Sequence, residues 1–310
     1  MRDKTWWTSR LRRMGPGLAV LLLGIALSIL SDRFLTVNNI LNVLRQVSIN
    51  TIIACGMTMV ILTGGIDLSI GSVLALSAAI MAGLAAAGAS PVLAVLVGLA
   101  VGAGLGLING LIITRGKVAP FVATLATMTI ARGLTLVYTQ GRPVTGLPAS
   151  LRAMGTAYAG PIPLPIIFMA VIVGITYLVL THTPFGRFIY SVGSNEEASR
   201  FAGIAVKRVK TLTYTLTGLA AAMAGVILTG RLNSAQPTAG VGFELDAIAA
   251  VVLGGTSLSG GQGSVLGTVI GALIIGVLDN GLNLLDVSSF YQQVAKGVVI
   301  LVAVLIDRRK

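Results

Sequence analysis

Long runs of apolar residues recur along the 310-residue chain, and the short segments between them hold most of the charged residues. In a run such as 18–30, apolar and polar positions do not alternate, so the pattern predicts helices rather than the strands of a membrane barrel. The hydrocarbon core of a bilayer is ~30 Å thick and requires about 20 apolar residues in each helical span. The pattern therefore predicts an all-α integral membrane protein.

The apolar runs predict about ten transmembrane helices. Their expected bounds are 17–31, 47–64, 68–88, 91–114, 120–138, 164–181, 211–230, 245–255, 265–285 and 291–306. The eighth run is too short to cross a bilayer unless 237–244 enters the membrane with it. A broken or re-entrant helix fits this segment equally well, because irregular backbone is tolerated at membrane depth where protein buries it.

Four glycines recur at every fourth position of the fourth run: Gly98, Gly102, Gly106 and Gly110. They share one face of a helix, and small residues at this spacing allow two helices to approach closely. We expect this face to be a packing surface. The alternative is a sliding interface that moves while the protein works.

Composition supports a membrane protein and assigns its orientation. The chain is 55% hydrophobic and 10% charged, whereas a soluble domain carries about 25% charged residues. Of its 22 lysines and arginines, fifteen fall on the inner segments and five on the outer segments if the N-terminus lies in the cytoplasm. This asymmetry follows the positive-inside rule and predicts cytoplasmic N- and C-termini. It also explains the net charge of +12 without a nucleic-acid partner.

The largest predicted inner loop, 182–210, carries the signals of a short helix. Ser194 and Glu197 have the spacing of a capping box, in which each side chain satisfies a backbone N–H at a helix start. Gly203 belongs to the residue type that most readily ends a helix in the left-handed conformation. A plain connector would need none of these signals, so we predict a docking helix at about 195–203.

The same loop resembles a known coupling motif. Glu197-Ala198-Ser199, followed by Gly203, resembles the E-A-A-x-x-x-G motif by which permeases of ABC importers engage their ATPase subunits, with Ser199 in place of an alanine. The resemblance to the ribose, xylose, arabinose and galactoside permeases extends over nearly the whole chain after Arg33. It is carried by ILTGGIDLSIGS, KVAPFVATLATM, TPFGRFIYSVGSNEEASRFAGI and SAQPTAGVGFELDAIAAVVLGGTSLSGGQGSVLGTVIGALIIGVLDNGLNLL.

This resemblance implies a single permease domain, 1–310, in the bacterial inner membrane. It implies sugar import by alternating access, with ribose as the expected sugar. The implied partners are a second permease subunit, expected to be an identical chain, an ABC ATPase subunit that holds ATP and Mg, and a periplasmic or lipid-anchored sugar-binding protein. Membrane lipid surrounds the protein, and no cofactor is expected on this chain.

The resemblance and the loop pattern together nominate residues for three roles. The expected ATPase-coupling residues are Ser194, Glu196, Glu197, Arg200, Phe201 and Gly203. On the outer side, Arg142, Arg152 and Arg231 are candidates for contact with carboxylates of the binding protein, because paired charges speed and orient encounter. Contact with lipid headgroups or water is the alternative for these arginines.

The translocation path needs hydrogen-bonding groups for sugar hydroxyls. The polar candidates within the predicted spans are Asn109, Thr124, Thr127, Asn280 and Asn283. Two alternatives compete with this role. Threonine in a membrane helix often bonds to its own backbone, and asparagine often joins neighbouring helices.

The motifs of an enzyme are missing from the sequence. A phosphate loop G-x-x-x-x-G-K-[ST] does not occur, since Gly116-Lys117 is followed by Val118 and lacks the earlier glycine. The one histidine, His182, and the one cysteine, Cys55, provide neither a zinc motif nor a disulfide. Energy must therefore come from a partner or from an ion gradient.

An ion-coupled secondary sugar transporter is the alternative function. Ionisable groups within a membrane are costly and often functional. The candidates in this chain are Arg132, Asp279 and Lys296, with Asp67 near a predicted membrane boundary. A structural ion pair between Asp279 and Lys296 would explain them equally well. A proton-coupled carrier is expected to contain several buried carboxylates.

Overall fold

The computed structural model describes the backbone of residues 3–307 and most side chains from Gly15 to Leu305. Within that range the chain is almost entirely helical. The elements are α1 Asp3–Leu30, α2 Val37–Leu62, α3 Ile70–Ala86, α4 Pro91–Thr114, α5 Pro120–Thr139, α6 Ala149–Thr156, β1 Tyr158–Ala159, β2 Ile162–Pro163, α7 Leu164–His182, α8 Pro184–Ser194, α9 Glu196–Phe201, α10 Val206–Leu232, α11 Phe243–Leu253, α12 Val265–Leu284 and α13 Ser289–Asp307. The strands β1 and β2 pair antiparallel.

Each of the ten predicted apolar segments coincides with a helix. Six helices in the described part of the chain are long and apolar enough to cross a membrane, namely α2, α4, α5, α7, α10 and α12. The apolar part of α1 and the whole of α3 are shorter. The predictions of an all-α fold and of several membrane spans are therefore confirmed, and the full count of ten crossings stays a prediction.

The eighth predicted span is the least regular. Its helix, α11, has 11 residues and is preceded by the non-helical segment 233–242, in which Pro237 and Gly240 are buried. Arg132 on α5 donates hydrogen bonds to the carbonyl oxygens of Pro237, at 2.7 Å, and Ala239, at 2.9 Å. Carbonyl groups that have no helical partner are thus satisfied by a side chain, as buried backbone requires.

Three of the four glycines on this face of α4 pack directly against α10, whereas Gly98 packs against Met81 and Ser77 of α3. A Cβ atom at Gly102 would lie 2.5 Å from the carbonyl oxygen of Gly218, and one at Gly110 would lie 2.7 Å from the Cα of Thr211. A Cβ atom at Gly106 would collide with the carbonyl oxygen of Tyr214. Backbone approaches backbone along the whole contact, so the predicted packing surface is confirmed.

Helix α2 occupies the centre of the bundle. Its side chains Ile52, Ile53, Met57 and Ile61 are at most 1% exposed and belong to the largest buried apolar cluster. The neighbours of α2 are α7, α10, α11 and α12. Lipid tails are as apolar as these side chains, so close packing rather than removal from water holds the bundle together.

Candidate coupling and translocation sites

The short helix predicted at about 195–203 is present as α9, but its start differs from the prediction. Asn195 is the N-cap, with φ −160° and ψ 105°, and its Oδ1 accepts a hydrogen bond from the backbone N–H of Ala198 at 2.9 Å. Ser194 is the last residue of α8 and cannot cap the next helix. The prediction of a capping box formed by Ser194 and Glu197 was therefore wrong, because α8 continues one residue further than the spacing suggested.

The end of α9 follows the prediction. Gly203 has φ +84°, in the left-handed region that favours glycine. Its N–H donates to the carbonyl oxygen of Arg200 at 3.1 Å, and the N–H of Ile204 donates to the carbonyl oxygen of Ser199 at 3.0 Å. These two bonds close the helix and turn the chain towards α10.

One face of α9 is exposed at the protein surface, and the opposite face is hydrogen-bonded to α8. Phe201 is 83% exposed, and Glu197 and Arg200 are exposed beside it. Ser199 is only 3% exposed, and its hydroxyl lies 2.8 Å from the hydroxyl of Ser191 on α8. A large exposed apolar side chain flanked by charges is suited to contact with a partner.

The bond between Ser191 and Ser199 was missed from the sequence. Ser199 is the position at which the chain departs from the E-A-A motif, and the departure supplies the hydroxyl that pairs with Ser191. Glu196 was expected to contact a partner, yet its carboxylate pairs with Lys210 at the start of α10. Both contacts fasten α9 to its neighbours.

Helix α8 connects α9 to the turns between membrane helices. The hydroxyl of Tyr190 donates to the carbonyl oxygen of Gly263 at 3.0 Å, in the turn before α12. Burial raises the pKa of the Tyr190 hydroxyl, so it remains protonated and able to donate. Gly193 packs against the carbonyl oxygen of Leu62, which also accepts a hydrogen bond from the N–H of Gly261 at 3.0 Å. A movement of α8 would therefore act on the end of α2 and on the connection that leads into α12.

Two of the five proposed translocation residues, Asn109 and Thr127, meet in one buried group. Thr127 donates to the side-chain oxygen of Asn109 at 2.5 Å, and the Asn109 amide donates to the Ser69 hydroxyl at 2.9 Å. That hydroxyl donates to Asp67 at 2.6 Å. We call Asp67, Ser69, Asn109 and Thr127 the polar cluster; its members are at most 6% exposed.

Thr124 lies beside the polar cluster. Its hydroxyl donates to the carbonyl oxygen of Pro120 at 2.9 Å and is 3.3 Å from that of Ile66. Ile66 belongs to the non-helical connection 63–69 between α2 and α3. The hydroxyl of the buried Tyr214 borders the same connection at Gly65 and has no hydrogen-bond partner in the described structure. The roles of Ser69 and Tyr214 could not be identified from helical spacing, because both depend on where this connection runs.

The other two translocation candidates lie at the far end of α12. Asn280 and Asn39 on α2 exchange amide hydrogen bonds of 2.8 and 2.9 Å. Asn283 accepts a hydrogen bond of 2.8 Å from Gln292 on α13. Both asparagines therefore join helices, and neither lies in the polar cluster.

The three outer arginines lie at the end of the molecule opposite α9. Arg142 and Arg152 are exposed and Arg231 is half-buried. Helix α6 brings Arg152 close to the end of α10, where Gly155 packs against the backbone of Arg231. The segment that follows Arg142 pairs with the chain after α10 through the bridge between Val144 and Ala235. The arginines thus share one face.

The ion pair foreseen between Asp279 and Lys296 is present. The Nζ atom of Lys296 lies 2.8 Å from Asp279 Oδ2 and 3.1 Å from Asp246 Oδ2. Asp246 was missed because it lies in the short α11, whose depth the apolar pattern did not define. The lysine thereby ties α11 and α12 to α13.

Comparison with known proteins gives a consistent result. The family described as branched-chain amino acid transport system / permease component matches residues 39–304. The chain is 60% identical over 302 residues to the ribose import permease protein of Bacillus subtilis. This alignment covers 97% of this chain and 94% of the relative. It is 50% identical over 297 residues to the ribose import permease protein of Escherichia coli K12, with 94% and 92% covered.

A more distant relative is the D-allose transport system permease protein of Escherichia coli K12, 41% identical over 282 residues, with 91% of this chain and 86% of the relative covered. No solved structure matches the chain. Because the family match and the alignments each span most of the sequence, the protein belongs to this family of transport-system permeases and is a multi-pass inner-membrane protein.

Proposed function

We propose that this chain is the permease subunit of an ATP-driven, binding-protein-dependent importer of ribose. The identities of 60% and 50% to two ribose import permeases, over nearly the whole chain, carry this proposal. The ion-coupled alternative receives no support from any of these relatives. The chain supplies the membrane path, and ATP and Mg are bound by the partner ATPase.

We propose ten membrane crossings with both termini in the cytoplasm. The distribution of basic residues supports this orientation. The same orientation puts α8, α9, the 63–69 connection and the turn before α12 on the cytoplasmic side. Arg142, Arg152 and Arg231 then face the binding protein on the other side.

The proposed mechanism is alternating access in a complex of two identical permease chains. ATP binding draws the ATPase subunits together, and α9 moves with them through contacts of Glu197, Arg200 and Phe201. Asn195 caps the start of α9, Glu196 pairs with Lys210, and Gly203 forms the exit. Ser194, the last residue of α8, packs beside Gly261 in the connection before α12. The contacts of Tyr190 and Gly193 pass this movement to the end of α2 and to the connection that leads into α12. ATP shifts the equilibrium because its binding differs between the two states of the complex.

The polar residues of the spans are proposed to assist passage of the sugar. Asn109, Thr124 and Thr127 are hydrogen-bonded within the protein in this conformation. In the alternate conformation these groups would exchange some internal partners for sugar hydroxyls. Asn280 and Asn283 are proposed to act in the same way near the outer end of α12.

Reconstitution tests the function directly. The chain is purified with its candidate ATPase and binding protein, inserted into proteoliposomes, and assayed for uptake of ribose, xylose and arabinose. We expect ribose uptake that requires both ATP and the binding protein. Uptake driven by a proton gradient in vesicles that lack the ATPase would contradict the proposal.

A further inference from the structure

A cavity of about 440 Å³ lies between the α4–α5 connection and the start of α10, beside α9. Its charged lining residues are Lys117, Arg200, Lys207, Lys210 and Glu196. Four cationic side chains thus surround the cavity with one carboxylate among the described lining residues. The cavity has an excess of positive charge at neutral pH.

Ion pairs within the protein remove only part of this charge. Lys210 is paired with Glu196. Arg200 lies 4.0 Å from Glu197, in an exposed position where an ion pair contributes little. In the part of the chain that the structure describes, Lys117 and Lys207 have no carboxylate within 4.0 Å. Two exposed lysines are therefore available to an external anion.

Two helices begin at the same cavity and add backbone donors. Residues at the starts of α5 and α10 line it, and neither helix has a hydrogen bond from a capping side chain. The free N–H groups of a helix start and the positive end of the helix dipole favour an anion. These donors supplement the lysines, and the combination suits an anion with several acceptor oxygens, such as a phosphate group.

The cavity opens beside an apolar surface. Ile113 and Val118 form part of its wall. On the adjoining turns, Phe121 of α5 is 53% exposed, Val122 is 55% exposed and Leu212 of α10 is 52% exposed. In a multi-pass membrane protein, exposed apolar side chains of this kind are suited to contact with lipid tails. A soluble anion would use the basic part of this site alone, whereas a phospholipid would use both parts.

We propose that this cavity binds the phosphate group of an acidic phospholipid from the cytoplasmic leaflet, with Lys117 and Lys207 as its principal contacts. The proposal rests on the topology proposed above, which places this end of the protein in the cytoplasm. Basic pockets between membrane helices on that side are suited to anionic headgroups. Glu196 and Arg200 of α9 line the cavity, so the bound lipid would contact α9 from the membrane side.

Lipid retention by the purified full-length chain tests the site. Native mass spectrometry is used to count bound phosphatidylglycerol and phosphatidylcholine on the unmodified protein and on the double variant Lys117→Gln, Lys207→Gln. The matched control is Arg115→Gln, Arg208→Gln, which removes the same charge from the same two segments at exposed residues outside the cavity lining. Size-exclusion elution and thermal stability verify that each variant is folded.

We expect phosphatidylglycerol to be retained in preference to phosphatidylcholine. Retention should fall by about tenfold or more in the lysine variant, because each surface cation contributes to binding an anionic lipid. The arginine variant should retain phosphatidylglycerol nearly unchanged. Equal losses in the two variants would overturn the proposal, since they would reflect general surface charge.

Two further measurements distinguish a phospholipid from the other possible occupants of the cavity. Displacement of phosphatidylglycerol by inorganic phosphate would overturn the lipid assignment and indicate a soluble phosphate ligand. Loss of ATPase co-purification in the lysine variant, with lipid retained, would assign the lysines to the partner interface instead. A failure of ATP-driven ribose uptake would contradict the proposed function and would leave the lipid measurement unaffected.

Discussion

The coupling unit, α8 and α9, and the polar cluster use polar residues in opposite ways. In the coupling unit, Glu197, Arg200 and Phe201 project from the surface, while buried contacts hold only the opposite face of α9. In the polar cluster, Asp67, Ser69, Asn109 and Thr127 bond to one another, and none is more than 6% exposed.

This difference separates effects on function from effects on folding. Exposed side chains without contacts in the isolated chain contribute little to its stability. Removing one member of a buried hydrogen-bonded group, by contrast, leaves another member unsatisfied. Substitutions in the coupling unit should therefore abolish activity in a folded protein. Substitutions in the cluster and in the tight helix contacts should first lower the free energy of unfolding.

The largest functional effect is expected from the double variant Phe201→Glu, Gly203→Pro. It places a charge on the exposed anchor and makes the φ of +84° at residue 203 impossible, because proline fixes φ near about −65°. ATP-driven uptake in proteoliposomes should fall to background while membrane insertion is unchanged. The control is Phe290→Glu, since Phe290 is 79% exposed on α13, distant from α9. Normal uptake by the double variant would remove α9 from the coupling role.

The largest effect on stability is expected at Gly106 of α4. In Gly106→Ala the new methyl group would collide with the carbonyl oxygen of Tyr214, so we expect a loss of about 1–3 kcal/mol in the free energy of unfolding. Gly104→Ala is the matched control, because a Cβ atom there meets nothing within 4 Å. Thermal denaturation in detergent compares the two. Equal stability of both variants would mean that α4 and α10 are not in close contact.

A loss of stability of comparable size is expected in the polar cluster. Asn109→Ala removes the partner of both Ser69 and Thr127, and a buried group left unsatisfied costs about 1–3 kcal/mol. Thr129→Ala is the control, because Thr129 is exposed on α5 and its hydroxyl bonds to the carbonyl oxygen of Leu125 in the same helix. If the Asn109 variant is as stable as the control but transports ribose poorly, the cluster acts in translocation and contributes little to folding.

The smallest effect is expected from Ser199→Ala, which restores the alanine of the motif. Loss of the bond to Ser191 should reduce the free energy of unfolding by about 0.5–1.5 kcal/mol. The double variant Ser191→Ala, Ser199→Ala should be close to the unmodified chain, because neither hydroxyl is then left unpaired. A double-mutant cycle on thermal stability measures this coupling. Additive losses would show that the two hydroxyls do not interact.

Periodicity predicted the helices better than it predicted their ends. The apolar runs located ten helices, and Gly203 ended α9 as expected. The predicted start of α9 was wrong by one residue. Ser194 and Asn195 are both good capping residues, and only the length of α8 selected Asn195. Helix α6 was not anticipated, since its eight residues carry no long apolar run.

The candidate site was only partly predictable for a related reason. Asn109, Thr124 and Thr127 could be chosen as polar residues on apolar helices. Their connection to Asp67 and Ser69 depends on a non-helical segment, 63–69, whose course has no periodic signal. In the same way, Asp246 joins Asp279 and Lys296 because α11 enters the bundle after the irregular segment 233–242.

Local sequence patterns predicted a protein surrounded by lipid, an all-helical fold, an orientation set by basic residues and a short surface helix near residue 200. These properties follow from local composition and from periods of three to four residues, which each segment carries alone. Tertiary packing sets which polar groups face one another and where α8 touches the end of α2 and the connection before α12. It also brings Lys117 and Lys207 to the border of one cavity. Those contacts join residues distant in the chain, so they depend on packing geometry that no local pattern contains.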